Sequence, residues 1–183
     1  MFYIAGLYKF KKISNIKKNK KILQVFFIKK SIRGTIIISS EGINGTISAN
    51  KSNLNLTLNK IKRIFKFNNF DSQSLSKSEF QVFHRGKVKI KKEVVPMGIK
   101  IFKRKSKNHV DPFKWNKLIS NQNTFLIDAR KPFEYKVGTF KNAKNPNINN
   151  FRNFPNYLQN LNKNKNIAMF CTGGIRCEKA SVY

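Results

Sequence analysis

The stretch Ile167-Ala168-Met169-Phe170-Cys171-Thr172-Gly173-Gly174-Ile175-Arg176-Cys177-Glu178-Lys179 decides the fold of the second half of this chain. Four apolar residues, Ile167 to Phe170, read as a buried strand, and Cys177-Glu178-Lys179-Ala180-Ser181 reads as the opening of a helix. A cysteine therefore stands where a strand ends, separated by two glycines from a helix N-terminus. Glycine lets successive backbone N–H groups curl around a neighbouring atom, and the helix end adds positive potential. Both favour the thiolate, the nucleophilic form of cysteine. Arg176 brings a fixed charge to the same place. The expectation is a Cys171 of depressed pKa, with Cys177, inside the helix, as a second and less accessible thiol. The plainer reading is a small buried hydrophobe followed by a Gly-Gly turn. It accounts for the cysteine but not for the arginine and the helix start.

Working outward, Cys171-x-x-Gly174-x-Arg176 resembles the active-site loop of the rhodanese superfamily, whose first cysteine carries a persulfide. Upstream, Phe125-Leu126-Ile127-Asp128-Ala129-Arg130-Lys131-Pro132-Phe133-Glu134-Tyr135 resembles the segment that opens that fold, and Gly138-Thr139-Phe140-Lys141-Asn142-Ala143 the stretch that follows it. More specifically, Ser39-Ser40-Glu41-Gly42-Ile43-Asn44-Gly45-Thr46-Ile47-Ser48 and Cys171 to Ser181 are similar to the two signatures of the rhodanese-like bacterial tRNA uridine hydroxylases. That family converts the wobble uridine to 5-hydroxyuridine with molecular oxygen.

The resemblance implies a tRNA-modifying oxidoreductase with Cys171 as the catalytic thiolate and Thr172, Gly173, Gly174, Ile175 and Arg176 as its active-site loop. Molecular oxygen would be the co-substrate and tRNA the partner, with neither membrane nor DNA expected. Members of the family continue past the active-site helix with a further strand and helix, so the resemblance also implies a chain incomplete at its C-terminal end. The loop alone supports a sulfurtransferase, with Cys171 passing on a persulfide sulfur, equally well. A non-catalytic RNA-binding protein is a third reading, of another class. A phosphatase loop needs Arg six positions after its cysteine, where this chain has Cys177.

The first half reads as an α+β domain over residues 1–98. Residues 1–8 suit an opening strand. Between Lys17 and Lys30 the apolar residues are too dense for periodicity to separate helix from strand. Gly34 beyond them suits a helix C-cap, and the family resemblance implies a helix there. Thr35 to Ser39 is a buried strand, Asn44-Gly45 a turn pair, and Thr46 to Ser48 the returning strand. Leu54, Leu58, Ile61 and Phe65 recur at spacings of four, three and four, an amphipathic helix. Phe80 to His84 and Val88 to Val95 read as strand. The order βαββαβ is ferredoxin-like. Residues 99–122 read as a linker and a short helix opened by Asp111-Pro112, an N-cap followed by Pro at the first helical position. The incomplete rhodanese-like α/β domain then occupies 123–183. Asp128, at the end of its first strand, is read as tying Arg130 or a nearby backbone, and Trp115 as core. His84 and His109 receive no role.

Charge bears on partners. The formal net charge is +30 over 183 residues, from 38 basic and 8 acidic side chains, which suits a polyanion. Only seven of the basic residues are Arg, whose planar fork dominates specific nucleic-acid contacts. The abundant Lys, Asn, Ile and Phe share AT-rich codons, a competing source of the charge. In Lys87-Val88-Lys89-Ile90-Lys91-Lys92-Glu93 lysine alternates with apolar residues, placing a basic row on one strand face; a solvated face is the default reading, and Lys87, Lys89, Lys91 and Lys92 as tRNA phosphate contacts are the sharper one. No run approaches the roughly 18 apolar residues of a membrane span. Two cysteines six apart, without histidine partners nearby, match no zinc spacing, so no metal is expected, and a reducing cytoplasm is.

Overall fold

The computed structural model describes residues 1–99, 109–162 and 164–183. It divides into two compact units, Met1–Val94 and Val95–Tyr183. The sequence placed that division at residue 98; the expected linker run Lys100 to Asn108 lies outside the described residues.

In the first unit, β1 (Phe2–Phe10), α1 (Ile16–Lys29), β2 (Arg33–Ser39), β3 (Gly42–Ala49), α2 (Lys51–Phe65), β4 (Ser72–Ser78) and β5 (Gly86–Ile90) form one five-stranded sheet with two helices. The strand order is β4-β1-β3-β2-β5. All pairs are antiparallel except β2 with β5. Alternate residues of the inner strands, among them Ala5, Leu7, Ile36, Ile38, Ile43 and Ile47, join Leu23 and Phe27 of α1 and Leu54, Leu58, Ile61 and Phe65 of α2 in a single core. The period of two in the strands and of 3.6 in α2 is why these side chains meet. Burying each of the Leu, Ile and Phe side chains stabilises by about 1.5–3 kcal/mol relative to exposure. Asn50 caps α2, its side chain accepting from Asn53 N at 2.8 Å.

Three sequence readings in this unit are corrected. Gly34 is not a helix cap: α1 closes at Lys30 and Ser31, with Ser31 at φ 53°, and Gly34 sits in β2 opposite Ile47. Asn44-Gly45 is not the turn. The turn is Ser40-Glu41, and Gly45 lies inside β3, where a Cβ would come within 2.1 Å of the Thr35 carbonyl. Gly45 is there for close approach, not for a turn conformation. Phe80 to His84 is irregular, and the fourth strand is the serine-rich β4, an edge strand whose side chains are mostly exposed.

The second unit holds α3 (Pro112–Ser120), β6 (Thr124–Asp128), α4 (Pro132–Val137), α5 (Phe154–Gln159), β7 (Asn166–Phe170) and α6 (Ile175–Ala180). Asp111 caps α3 as read, accepting from Lys114 N at 2.9 Å, and α3 packs on β6. Strands β6 and β7 pair in parallel, from Thr124↔Asn166 to Asp128↔Phe170, and Lys144 bridges the other side of β6. Both faces of this pair are covered. Phe125, Ile127, Met169 and Cys171 join a core with Met97, Phe154 and Ala180, while Leu126, Ala168 and Phe170 join Trp115, Leu118 and Ile119. That is why these strands read as continuous apolar runs, not as alternation. Among the described residues no helix is long and apolar enough to cross a membrane.

Candidate active site

Because β6 and β7 are parallel and in register, both end on the same side, and the turn after each delivers its side chains there. Cys171 follows the last residue of β7. The chain then turns through Gly174, at φ 84°, into α6. This is the left-handed region, open at little cost to glycine alone. Gly173 has no such φ, and a Cβ added there would meet open space.

The backbone N–H groups that meet the Cys171 sulfur come from Arg176 and Cys177, in the first turn of α6. The Cys177 thiol also hydrogen-bonds to it. That bond, opposed by burial and aided by the two N–H groups and the Arg176 charge, lowers the Cys171 pKa to about 6. The same bond, with burial and the neighbouring thiolate, pushes Cys177 up. The two thiols are thus driven apart: one is ionised near neutrality and the other stays protonated as its donor. Both are free cysteines.

Arg176 is tethered as well as charged. Its Nη1 donates to Ala129 O at 3.0 Å, and its Nη2 stands 3.4 Å from Glu134 Oε2. Glu134, in the first turn of α4, also accepts from Thr172 Oγ1 at 2.6 Å and from Lys131 N at 3.1 Å. Burial would raise its pKa; these bonds and Arg176 outweigh it and hold the carboxyl below its ordinary value. Glu134 therefore clamps the Cys171 loop at two points, a role the sequence did not assign it. Its one signal was a place in the segment resembling the rhodanese opening.

Asp128 does what was read for it. Fully buried, it accepts from Arg130 N (3.0 Å), Arg130 Nε (2.9 Å) and Nη2 (2.7 Å), and from Thr139 Oγ1 (2.9 Å). Burial opposes its ionisation, but the Arg130 and Thr139 bonds prevail and its pKa is lowered. Trp115 is half-buried, edge-on to Phe140 (5.6 Å) and Phe170 (6.1 Å). His109 Nε2 lies 3.8 Å from buried Glu178, and Lys179 Nζ donates to Val95 O at 2.9 Å.

The other candidates lie in the first unit. Lys87 and Lys89 are exposed on β5, an edge strand, with Val88 buried between them, and Lys91 and Lys92 follow it, also exposed. Glu41 is buried and accepts from Val94 N at 2.8 Å, while Asn44 donates to Val94 O at 3.1 Å. Two side chains of that signature thus have structural work. Among the described residues no three His, Cys, Asp or Glu side chains gather as a metal site.

Among the described residues of the second unit, two of the hollows reach the thiols. One of about 690 Å³ is lined largely by apolar side chains such as Leu118, Leu158 and Ile167 and takes in Cys177. The other, about 350 Å³, opens directly on Cys171.

Residues 2–94, just over half of the chain, match the UPF0176 acylphosphatase like domain. The chain belongs to the UPF0176 family. Residues 113–183 of this UPF0176 chain match the rhodanese-like domain, so the two expected folds, ferredoxin-like and rhodanese-like, are both present. Over 184 aligned residues and its full length, the chain is 61% identical to a Pelagibacter ubique protein named tRNA uridine(34) hydroxylase. It spans 61% of that protein's length. It is also similar to the solved acylphosphatase from Bacillus subtilis (12% identity, TM-score 0.36, covering 48% of this chain and 98% of that one). A further likeness is to full-length HypF in its phosphate- and nucleotide-bound form (13% identity, TM-score 0.38, covering 52% and 13%).

Proposed function

We propose that this UPF0176 chain carries the reactive thiol of an oxygen-dependent tRNA wobble-uridine hydroxylase working in the cytoplasm. The observation that carries the reading is the 61% identity, along its whole length, to a protein of that name. The site is of a kind such chemistry can use: a thiolate formed near neutrality, held by backbone donors and flanked by Arg176, beside an open cleft. Molecular oxygen is the proposed co-substrate. The rhodanese-like loop keeps sulfur transfer from a Cys171 persulfide as the second reading. Nucleoside mass spectrometry of tRNA from cells with and without the gene separates the two. Loss of 5-hydroxyuridine is expected; loss of a thiolated nucleoside instead would move the assignment to sulfur transfer, and unchanged tRNA would leave only RNA binding.

The exposed lysines of β5 and its extension are proposed to meet tRNA phosphates. Binding should then weaken steeply with salt, and changing Lys87, Lys89 and Lys91 together to Ser should lower the slope of log affinity against log salt by up to about three. Changing Lys92 as well should lower it further. An unaltered slope would remove this edge from the tRNA surface.

A further inference from the structure

The cleft on Cys171 is lined by Arg130, Thr139, Phe140, Phe170 and Thr172 as well as the cysteine. Its volume, about 350 Å³, is at the small end of small-molecule sites, room for one nucleotide unit and not for a stack of them. Its walls are of two kinds. Phe140 and Phe170 meet edge to face, centroids 4.9 Å apart at 86°, and Trp115 packs edge-on to both. Trp115 is thereby a brace that fixes the two rings. Phe140 nonetheless keeps 42% of its surface exposed, at the cleft it lines.

The second wall is polar and equally fixed. The Arg130 guanidinium is 5.5 Å from the Phe170 ring, and Asp128 and the Gly138 carbonyl hold its Nε and Nη2. Its Nη1 makes no hydrogen bond among the described residues. Thr172, whose hydroxyl donates to Glu134, also lines the cleft. An oriented cation with a donor to spare, a partly exposed aromatic ring and a nucleophile lining one cleft make a site for a flat, carbonyl-bearing heterocycle. Aromatic faces hold single-stranded bases by stacking, and enzymes acting on a base take it out of the stack to reach it.

We infer that this cleft is the receptor for one unstacked pyrimidine base of the RNA substrate, with Phe140 as its stacking platform and Arg130 facing a ring carbonyl. The inference rests on the reading of the protein as a tRNA-modifying enzyme but not on the reaction assigned to it. Trp115 supplies the probe, being the single tryptophan of the chain and in contact with both rings.

The test uses the full 183-residue chain and two synthetic anticodon stem-loop RNAs, one with uridine at the first anticodon position and one abasic there. The uridine RNA should change Trp115 emission and slow alkylation of Cys171 by iodoacetamide, while the abasic RNA binds more weakly and does neither. Phe140→Ala should weaken binding of the uridine RNA by about tenfold and leave abasic RNA binding as it was, which also reports that the variant is folded. Phe140→Tyr, which keeps the ring, should bind uridine RNA as the parent does. If Phe140→Ala weakens both RNAs equally, or the abasic RNA shields Cys171 as well as the uridine RNA, the cleft is not a base receptor. These readouts need binding and not turnover. Base-dependent signals with unaltered cellular 5-hydroxyuridine would therefore overturn the reaction and leave the receptor standing.

Discussion

Cys171→Ser is expected to abolish 5-hydroxyuridine formation in cells lacking the parent gene, while the protein still folds and binds tRNA. The substitution exchanges one atom inside a set of donors that remains, the N–H groups of Arg176 and Cys177 and the Cys177 thiol. A serine hydroxyl in that place stays neutral, so the donors have no anion to hold. Complementation with the variant, scored by nucleoside mass spectrometry, reads the effect; retained modification would show that the thiolate is not the reactive group. In the parent protein, alkylation of Cys171 should rise with pH through about 6 and level off above 7, because the thiolate is the reacting form. Cys177, whose pKa is raised, should lag far behind. Labelling that goes first to Cys177, or a midpoint near the ordinary thiol value of 9, would reverse the assignment. Stability carries the same signature. A group whose pKa is lower folded than unfolded stabilises the fold fully above the unfolded value, and the contribution is lost as pH falls through the folded one. The parent should therefore gain stability between pH 6 and 9, and Cys171→Ser should lack that gain.

What the sequence disclosed follows from how local each cause is. The Cys171 loop was legible because its elements are sequence neighbours: a strand end, a left-handed glycine at 174 and the first turn of α6 lie within seven residues. Helix α2 was legible because Leu54, Leu58, Ile61 and Phe65 must all face one core. Strand β4 was hidden because it is an edge strand paired through its backbone to β1, with side chains in solvent and hence no apolar alternation. Gly34 and Gly45 were misread because glycine marks turns, caps and close approaches alike. Only the facing strands, Ile47 for one and Thr35 for the other, decide among these. The Glu134 clamp joins residues 38 and 42 positions apart, a pairing that no spacing rule yields. Phe140 was legible only as part of a resemblance. Its exposure beside Cys171 depends on how the loop after α4 returns to β6 at Lys144.

Asp128→Asn is expected to destabilise the second unit by about 3 kcal/mol and to unseat the wall of the cleft that Arg130 forms. The carboxylate is fully buried and serves Arg130 by backbone and guanidinium together, as well as Thr139. Asparagine matches its shape but offers one accepting oxygen in place of two and turns an N–H₂ toward groups that are themselves donors. Arg130 then keeps a charge that is four-fifths buried, with one amide oxygen and the Gly138 carbonyl where a full carboxylate had stood against it. Leaving a buried charge without its partner costs more than the pair contributed when intact. Exchanging both partners for apolar residues, Asp128→Leu with Arg130→Met, should accordingly be less damaging than Asp128→Leu alone, a difference a double-mutant cycle reads directly. The pH dependence has the opposite reach to that of Cys171. Asp128 is held below its ordinary carboxyl value, so its contribution is complete above about pH 5 and is lost only as pH falls below 4. Thermal melts of parent and Asp128→Asn should therefore differ most from neutrality down to mild acidity and converge at strongly acid pH. A variant that melts with the parent at pH 7 would show that Arg130 is held by something other than this carboxylate, and the cleft would lose the fixed cation on which its recognition of a base depends.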